Sequence, residues 1–373
     1  MDRVIIDSDG HVTERDEELV DYLPAPFTSN RRLFSHYFFT LSDKFHRGAE
    51  SILDSRKEEE NGREFPRPDV DKWRSLLDES GIKWSALYPG RGLTINTHRS
   101  PEWGGALAEG YNNWLYQQFT AKEPRLKGVA LLHLYDIPAA VKELRRTVEE
   151  YGFEGAVLMT SGLPKPLGHE MYFPLYEEAQ RLGVGVAVHA ASSNAMGLAD
   201  GALALWEVRA MSHGAGQIIS FLSMINGGVF DTFTNLRVGY LESGCGWVPY
   251  LVDRMDRIYH GRGARLSKKM KHAPKEILQS GRVFVHAELD ERMLPVVARL
   301  AERDDIFMFA SDFPHEPWSV MRREVEHFSN RDDLDDSLID GMLAGAARRF
   351  YALDDAGARV GRQPKAPAVT APA

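Results

Sequence analysis

Side chains that can hold a metal ion or move protons recur at the ends of short apolar runs in this sequence. The first run leads into residues 7–11, Asp-Ser-Asp-Gly-His, and later runs end at or just before His189, Glu242 and Asp312. Imidazole and carboxylate groups are common protein ligands of zinc, manganese and iron. Residues two apart in an extended strand face the same side. Asp9 and His11 are two apart, so both side chains can point at one ion. The predicted metal ligands are Asp9, His11, His189, Asp312 and Glu242.

Two carboxylates of this set are also candidates for proton transfer. A bound divalent ion lowers the pKa of its water toward ~7 or polarises a substrate carbonyl. Asp312 can take a proton from that water, and Glu242 can act as a general base. His213, between the fifth and sixth runs, is either a general acid or an ordinary polar helix residue. His315 follows Asp312 by three residues, a position from which it can hydrogen-bond a metal ligand.

Substrate binding is predicted from residues near the same strand ends. Arg91 and Arg254 can each bind a substrate carboxylate through two parallel hydrogen bonds. His286 ends the seventh run and either contacts the substrate or is a buried, hydrogen-bonded histidine. The same alternatives hold for His133 near the end of the third run. Cys245 is interpreted as structural, because no activating base stands near it in the sequence.

Eight apolar runs rich in Val, Ile and Leu alternate with segments of helical periodicity, and these elements must position the candidate ligands. Strands buried on both faces appear as continuous apolar runs, because helices cover the sheet. Eight of them predict an α/β fold, a closed (β/α)8 TIM barrel whose strand ends meet at one mouth. A doubly wound open sheet is the alternative, but residues 7–11 are not the Gly-rich phosphate loop that it requires. The runs are 4–7, 84–88, 128–134, 155–159, 184–189, 236–241, 283–286 and 306–310.

Two stretches lie outside this alternation. Residues 21–68 form a long insertion after the first strand, interpreted either as a lid over the mouth or as a solvated peripheral subdomain. Residues 357–373 are rich in Pro and Ala and are predicted to form a disordered tail. The rest of the alternation has no further interruption, so we predict one barrel domain over residues 1–356.

Bulk composition narrows the class of protein. The chain has 373 residues, 43% of them hydrophobic, which is enough for a large core. Its formal net charge of −9 disfavours nucleic acid and anionic membrane surfaces as partners, because like charges repel. The single cysteine excludes an intramolecular disulfide and suits the cytoplasm. No window reaches the ~20 apolar residues of a membrane-spanning helix. We therefore expect a cytoplasmic enzyme with a small-molecule substrate.

Several of these motifs resemble those of one known family. Residues 6–11 resemble the Asp-x-His-x-His opening of the amidohydrolase superfamily, with Asp9 in the first histidine slot, and His189 and residues 310–315 resemble its other ligand motifs. Residues 242–250, Glu-Ser-Gly-Cys-Gly-Trp-Val-Pro-Tyr, are similar to the amidohydrolase-related branch typified by aminocarboxymuconate-semialdehyde decarboxylase. The resemblance extends from Asp7 to about Tyr351. It implies a TIM barrel, a divalent metal with zinc expected first, and a homodimer.

Two departures from the branch's pattern leave the reaction open. Asp9 replaces a histidine ligand, and its negative charge favours a harder ion such as manganese or iron. Glu242 stands where the decarboxylase has a catalytic histidine, and a glutamate donates a proton near neutral pH only if its pKa is raised. The sequence therefore predicts a metal-dependent hydrolase or decarboxylase acting on a small carboxylated, cyclic or aromatic substrate. The alternatives are an iron-dependent oxygenase and a non-catalytic barrel.

Overall fold

Eight parallel strands, each paired with the next along the chain, form a single sheet in this computed structural model. The sheet closes where the backbone N–H of Ser8, in the first strand, donates to the carbonyl of Phe309, just after the last. This closure confirms the predicted (β/α)8 barrel and excludes the open doubly wound sheet. The strands are β1 (Ile5–Val12), β2 (Ile82–Pro89), β3 (Leu126–Leu131), β4 (Gly155–Met159), β5 (Gly185–His189), β6 (Val238–Leu241), β7 (Val283–His286) and β8 (Phe307–Met308).

The structure describes residues 3–30, 67–190, 205–263, 269–315 and 318–360. The predicted insertion over residues 21–68 falls mostly outside these ranges, so the prediction of a lid lies outside the described residues. The same holds for positions 361–373 of the predicted tail.

Helices cover the outside of the barrel, and several of the longer ones begin at a capping side chain. The first long helix follows Asp69, whose carboxylate accepts a hydrogen bond from the N–H of Lys72 at 2.9 Å, and it ends at Gly81 with a left-handed φ of 73°. Asp136 caps the helix before β4 in the same way, by accepting from the N–H of Ala139 at 3.1 Å. Among the described residues, no helix is both long enough and apolar enough to cross a bilayer. The helices are α1 (Asp16–Leu19), α2 (Val70–Ser80), α3 (Pro101–Leu115), α4 (Ile137–Glu150), α5 (Phe173–Leu182), α6 (Leu205–Asn226), α7 (Val229–Thr232), α8 (Trp247–Ile258), α9 (Pro274–Gln279), α10 (Leu294–Ala301), α11 (Trp318–Phe328), α12 (Asp336–Asp340) and α13 (Ala346–Tyr351).

The first strand is longer than its apolar run predicts. The run ends at Asp7, but β1 continues to Val12, because the polar residues beyond the run are buried and bonded inside the barrel. The Asp7 carboxylate accepts from the hydroxyl of Ser85 at 2.5 Å and from both the N–H and the hydroxyl of Ser311 at 2.8 Å. These bonds join β1 to β2 and to the segment after β8, and so help to close the barrel.

The end of the described chain packs against the side of the barrel opposite the mouth. Arg359 donates to the carboxylate of Glu154, just before β4, at 2.6 Å and to the carbonyl of Phe153 at 2.7 Å. The indole N–H of Trp84 donates to the carbonyl of Asp354 at 3.0 Å. Residues 357–360 are therefore part of the folded barrel, which corrects the predicted start of the tail at residue 357.

Candidate metal centre

Three buried side chains from two strands place ligand atoms around one point at the mouth of the barrel. Asp9 and His11 lie on β1, and His189 is the last residue of β5. The Nε2 atom of His11 is 3.5 Å from one oxygen of Asp9, and the Nε2 atom of His189 is 3.4 Å from the other. One ligand atom from each residue lies within 4.8 Å of the other two, and no side chain of the three is more than marginally exposed.

Backbone carbonyls fix the orientation of both imidazole rings. Nδ1 of His11 donates to the carbonyl of Pro89 at 2.9 Å, and Nδ1 of His189 donates to that of Ala190 at 2.6 Å. A carbonyl oxygen only accepts, so each Nδ1 carries a proton and each Nε2 is left to face the cluster. Both Nε2 atoms and Oδ1 of Asp9 have no hydrogen-bond partner among the described residues. Buried polar atoms without a partner are costly, and a divalent cation would satisfy all three, so this donor set fits one.

Gly10 allows β1 to present Asp9 and His11 side by side. A Cβ atom at Gly10 would lie 2.5 Å from the ring of Trp73 and 2.7 Å from the hydroxyl of Ser85. The pairing register of β1 with β2 also shifts in this stretch. A larger residue would push β1 away from its neighbours, and the two ligands would lose their alignment.

Two further carboxylates, Asp312 after β8 and Glu242 after β6, reach the same mouth. Oδ1 of Asp312 is 3.4 Å from Nε2 of His11 and accepts a hydrogen bond from Nδ1 of His315 at 2.8 Å, as the spacing predicted. Oε2 of Glu242 is 3.5 Å from Nδ1 of His189, which is not the nitrogen that faces the cluster. Their side chains are 30% and 25% exposed. Both residues have a left-handed backbone, with φ of 49° and 56°, a strained conformation that is common at functional sites.

Burial and neighbouring charges shift the pKa values of these groups. Burial raises the pKa of Asp9 to about 6, although His189 opposes the change. Burial alone would lower the pKa of His189, but Asp9 and Glu242 outweigh it and raise that pKa to about 9. Burial also raises the pKa of Glu242 to about 8. Burial opposes the charged form of Asp312, yet the hydrogen bond from His315 holds its pKa below the usual value. Perturbed pKa values concentrated in one cleft are typical of an active site.

The structure brings the five predicted ligands together, with His286 beside them. Arg91 follows β2, and its guanidinium donates to Asp16 at 2.6 Å. Arg254 is exposed on α8, and His213 is partly buried in α6. His286 ends β7 with its ring buried beside Asp9. Substrate contact by Arg91, Arg254 and His286, and proton donation by His213, stay predictions.

A layer of hydrogen bonds beneath the ligands was not predicted from the sequence. The hydroxyl of Ser8 donates to the carbonyl of Phe309 at 2.6 Å and lies 2.9 Å from Nε2 of His286. The hydroxyl of Tyr351 donates to the carbonyl of Ser8 at 2.7 Å and lies 2.6 Å from that of Tyr88. The sequence carries no local signal for this layer, because Ser8 lies between two aspartates and no pattern indicates that these four groups pair.

The closed barrel and its buried Asp-His-His set define the chain as a TIM-barrel metal enzyme. A sequence model described as amidohydrolase matches residues 91–353. The chain is 24% identical over 249 residues to 2-amino-3-carboxymuconate-6-semialdehyde decarboxylase of Dictyostelium discoideum, a match that covers 66% of this chain and 67% of that protein. The chain therefore belongs to the amidohydrolase family, in the branch that contains such decarboxylases, and it is a metal-dependent hydrolase or carboxy-lyase.

Solved structures share the fold over nearly the whole chain. An amidohydrolase from Mycobacterium avium subsp. paratuberculosis superposes with a TM-score of 0.73 at 18% identity, covering 95% of this chain and 99% of that one. A dihydroxybenzoic acid decarboxylase from a Polaromonas species, with bound manganese and the inhibitor 2-nitroresorcinol, has a TM-score of 0.67 at 19% identity, covering 94% and 97%. At identities of 18% and 19%, these superpositions show a shared fold and nothing more specific. These comparisons give no support to the oxygenase or to the non-catalytic alternative.

Proposed function

We propose that this chain is a manganese-dependent decarboxylase of a small hydroxylated aromatic acid. The observation that carries the proposal is the set of ligand atoms on Asp9, His11 and His189 that have no hydrogen-bond partner within the described part of the chain, beside two partly exposed carboxylates. The Asp9 oxygen favours manganese over the zinc that was expected first, and the Polaromonas decarboxylase holds manganese. Loss of carbon dioxide, rather than hydrolysis, is supported by the reactions that name both decarboxylase relatives.

Asp9, His11 and His189 would hold the ion, and the Asp312 carboxylate lies 3.4 Å from the ligand atom of His11. When bound, the ion would supply Lewis-acid chemistry that polarises substrate oxygens. The three ligands are buried, and backbone carbonyls fix the rings of the two histidines. The ligand side chains therefore stay in one arrangement, which orients the substrate for the reaction. Glu242 is assigned a catalytic role, because its Oε2 atom is 3.5 Å from Nδ1 of His189, which is not the nitrogen that faces the cluster. Its predicted role as a further ligand remains the alternative.

The chain's own acid–base groups would move two protons. Asp312, whose pKa the hydrogen bond from His315 holds low, accepts the proton of the aromatic hydroxyl, which makes the ring electron-rich. Glu242, whose raised pKa of about 8 keeps it protonated at neutral pH, donates a proton to the ring carbon that carries the carboxylate. The carbon–carbon bond then breaks, its electron pair restores the aromatic ring, and carbon dioxide leaves. Asp312 returns its proton to the ring oxygen, and Glu242, whose side chain is 25% exposed, regains its proton from solvent.

Carbon dioxide release from hydroxylated benzoates tests this proposal. The manganese-loaded enzyme should act on a benzoate with a hydroxyl beside the carboxylate, and not on the matched benzoate without it. Glu242→Gln and Asp312→Asn should each lower kcat by about 100-fold or more, as expected for general acid–base groups. Glu326→Gln, an exposed carboxamide exchange on α11, is the matched control and should leave kcat unchanged. Cleavage of an amide or ester substrate without carbon dioxide release would overturn the decarboxylase assignment in favour of a hydrolase.

We also propose that the chain forms a homodimer through the exposed side of α8. Tyr250 and Ile258 are 65% and 54% exposed and lie two turns apart, with Arg254 between them. Burying these two side chains against a second copy would remove their apolar area from water, which favours association. Light scattering should give a dimer for the wild type and a monomer for Tyr250→Ser/Ile258→Ser, and a dimer in both would contradict this surface. A cytoplasmic location, inferred from the single cysteine, also stays a prediction.

A further inference from the structure

The peptide group between Leu241 and Glu242 is held by a side chain at each of its two polar ends. Its carbonyl oxygen, on Leu241, accepts a hydrogen bond from Nε2 of Gln217 at 2.7 Å. Its N–H, on Glu242, donates to Nδ1 of His286 at 3.3 Å. Both of these side chains are almost completely buried. We name Gln217 and His286 the peptide clamp.

Gln217 ties together the ends of two strands that carry site residues. Its side chain, on α6, donates a second hydrogen bond to the carbonyl of Val188 at 2.8 Å. Val188 immediately precedes His189, just as Leu241 immediately precedes Glu242. The two N–H groups of the Gln217 amide therefore bond the peptide carbonyls that directly precede His189 and Glu242.

A chain of hydrogen bonds determines which ring nitrogen of His286 carries the proton. The hydroxyl of Ser8 donates to the carbonyl of Phe309 at 2.6 Å, and a carbonyl can only accept. The Ser8 oxygen must therefore accept from Nε2 of His286, which is 2.9 Å away. This leaves a lone pair on Nδ1 of His286, which is what the N–H of Glu242 requires.

The clamp acts on a residue whose backbone is strained. Glu242 has a φ of 56°, which residues with a Cβ atom seldom adopt unless the surroundings impose it. The loop beyond it is also held, because the N–H groups of Cys245 and Gly246 donate to the carboxylate of Glu291 at 2.9 to 3.0 Å. With the loop fixed on its far side, the clamped peptide sets the direction in which the Glu242 side chain leaves the backbone.

We propose that Gln217 and His286 are positioning residues, which hold Glu242 in its left-handed conformation and so aim its carboxylate at the substrate. The inference rests on the proposed function, in which Glu242 is the proton donor of the decarboxylation. It gives His286 a role in the reaction without substrate contact, since both of its ring nitrogens are engaged by protein groups.

Two substitutions of His286 separate its bond to the Glu242 N–H from its bond to Ser8. His286→Asn places an amide oxygen near the Nδ1 position, where it can still accept from Glu242. His286→Gln extends toward Ser8 as Nε2 does, but it leaves the Glu242 N–H without its acceptor. We expect His286→Gln to lower kcat by about 10- to 100-fold with KM and metal content unchanged, the size typical of groups that orient site residues. His286→Asn should recover most of this loss, and equal losses in both variants would overturn the clamp.

Asn112 provides a matched control for Gln217. Its buried amide also bonds the end of a strand, by donating to the carbonyl of Leu131 at 3.0 Å and accepting from its N–H at 2.9 Å. That strand, β3, supplies none of the five predicted ligands. Gln217→Leu and Asn112→Leu should both lower Tm, but only Gln217→Leu should lower kcat. A matching loss of kcat in both would mean that Gln217 acts through general stability, which would overturn the inference.

A double-mutant cycle with Glu242→Gln tests whether the clamp acts through Glu242. If it does, His286→Gln causes no further loss of kcat in the Glu242→Gln background, whereas independent effects would multiply. Crystal structures of the metal-free variants provide a readout independent of activity. In His286→Gln the φ of Glu242 should leave the left-handed region and its 3.5 Å approach to His189 should be lost. An unchanged Glu242 in both respects would overturn the clamp. A displaced Glu242 together with a wild type that releases no carbon dioxide would support the clamp and overturn the proposed function.

Discussion

Removing His189 should abolish the stabilisation that a divalent ion gives to this protein. His189→Ala deletes one of three buried ligand atoms that have no partner among the described residues. Changes to residues that merely orient a ligand cost 10–100-fold in metal affinity. Loss of a ligand itself should therefore raise the Kd for manganese by at least about 100-fold.

The size of the effect follows from the coupling of binding to folding. At free manganese of about 100 times the wild-type Kd, binding stabilises the folded state by about 2.7 kcal/mol. In the variant the same concentration only equals the raised Kd, so the stabilisation is about 0.4 kcal/mol. The difference of about 2.3 kcal/mol corresponds to roughly 3 °C in Tm, because an unfolding entropy of about 2.1 cal/mol/K per residue gives about 0.8 kcal/mol/K for a chain of 373 residues.

Thermal unfolding after chelator treatment, with and without added manganese, measures this difference. Plasma mass spectrometry on the same samples gives the ions bound per chain. His327→Ala removes an exposed histidine at the end of α11 and should keep the full wild-type increase in Tm. An increase in Tm equal to that of the wild type in His189→Ala, or one ion per chain retained in it, would refute the ligand assignment.

Two further predictions concern stability away from the ligands. Tyr351→Phe removes the donor to the Ser8 carbonyl and the partner of the Tyr88 hydroxyl. Urea denaturation should therefore show a free energy of unfolding lower by about 2–4 kcal/mol. An unchanged midpoint would contradict these buried bonds. Glu123→Gln should lower the free energy of unfolding by about 1 kcal/mol at neutral pH. The side chain of Arg125 lowers the pKa of Glu123 to about 2, but solvent screening at the partly exposed arginine limits the stabilisation. A lowered carboxyl pKa stabilises the fold above the unfolded value of about 4.3 and ceases to do so as the pH falls toward 2. The difference between variant and wild type should therefore shrink in urea titrations below about pH 4, whereas a constant difference would indicate another cause.

The barrel could be predicted from the sequence because burial on both faces makes a strand apolar along its whole length. β4 and β7 have the bounds that their runs predict, at residues 155–159 and 283–286. The convergence of Asp9, His189 and Asp312 follows from the barrel topology, since the strand ends meet at one mouth whatever the details of packing.

The rest depended on contacts that no local pattern encodes. The apolar run of β1 ends at Asp7, and no local pattern indicates that Ser85 and Ser311 satisfy the carboxylate of this residue inside the barrel. Gln217 is one polar residue in a long helix, and its partners lie on strands β5 and β6, which are distant from it in sequence. Sequence spacing also could not indicate that the guanidinium of Arg91 is paired with a carboxylate of its own chain.

The bonds that join β1 to the segment after β8 also determine when in the life of the chain the metal site can form. The N–H of Ser311 bonds the carboxylate of Asp7 across 304 positions of sequence, and the N–H of Asp312 bonds the carbonyl of Asp9. At about 5–20 residues per second, a ribosome needs roughly 15–60 s to synthesise the intervening chain. During that time the two ligands on β1 have emerged, but the strand that completes their surroundings does not yet exist. Capture of the ion by the full ligand set therefore follows the synthesis of β8, and the metal available at that stage determines which ion the site receives.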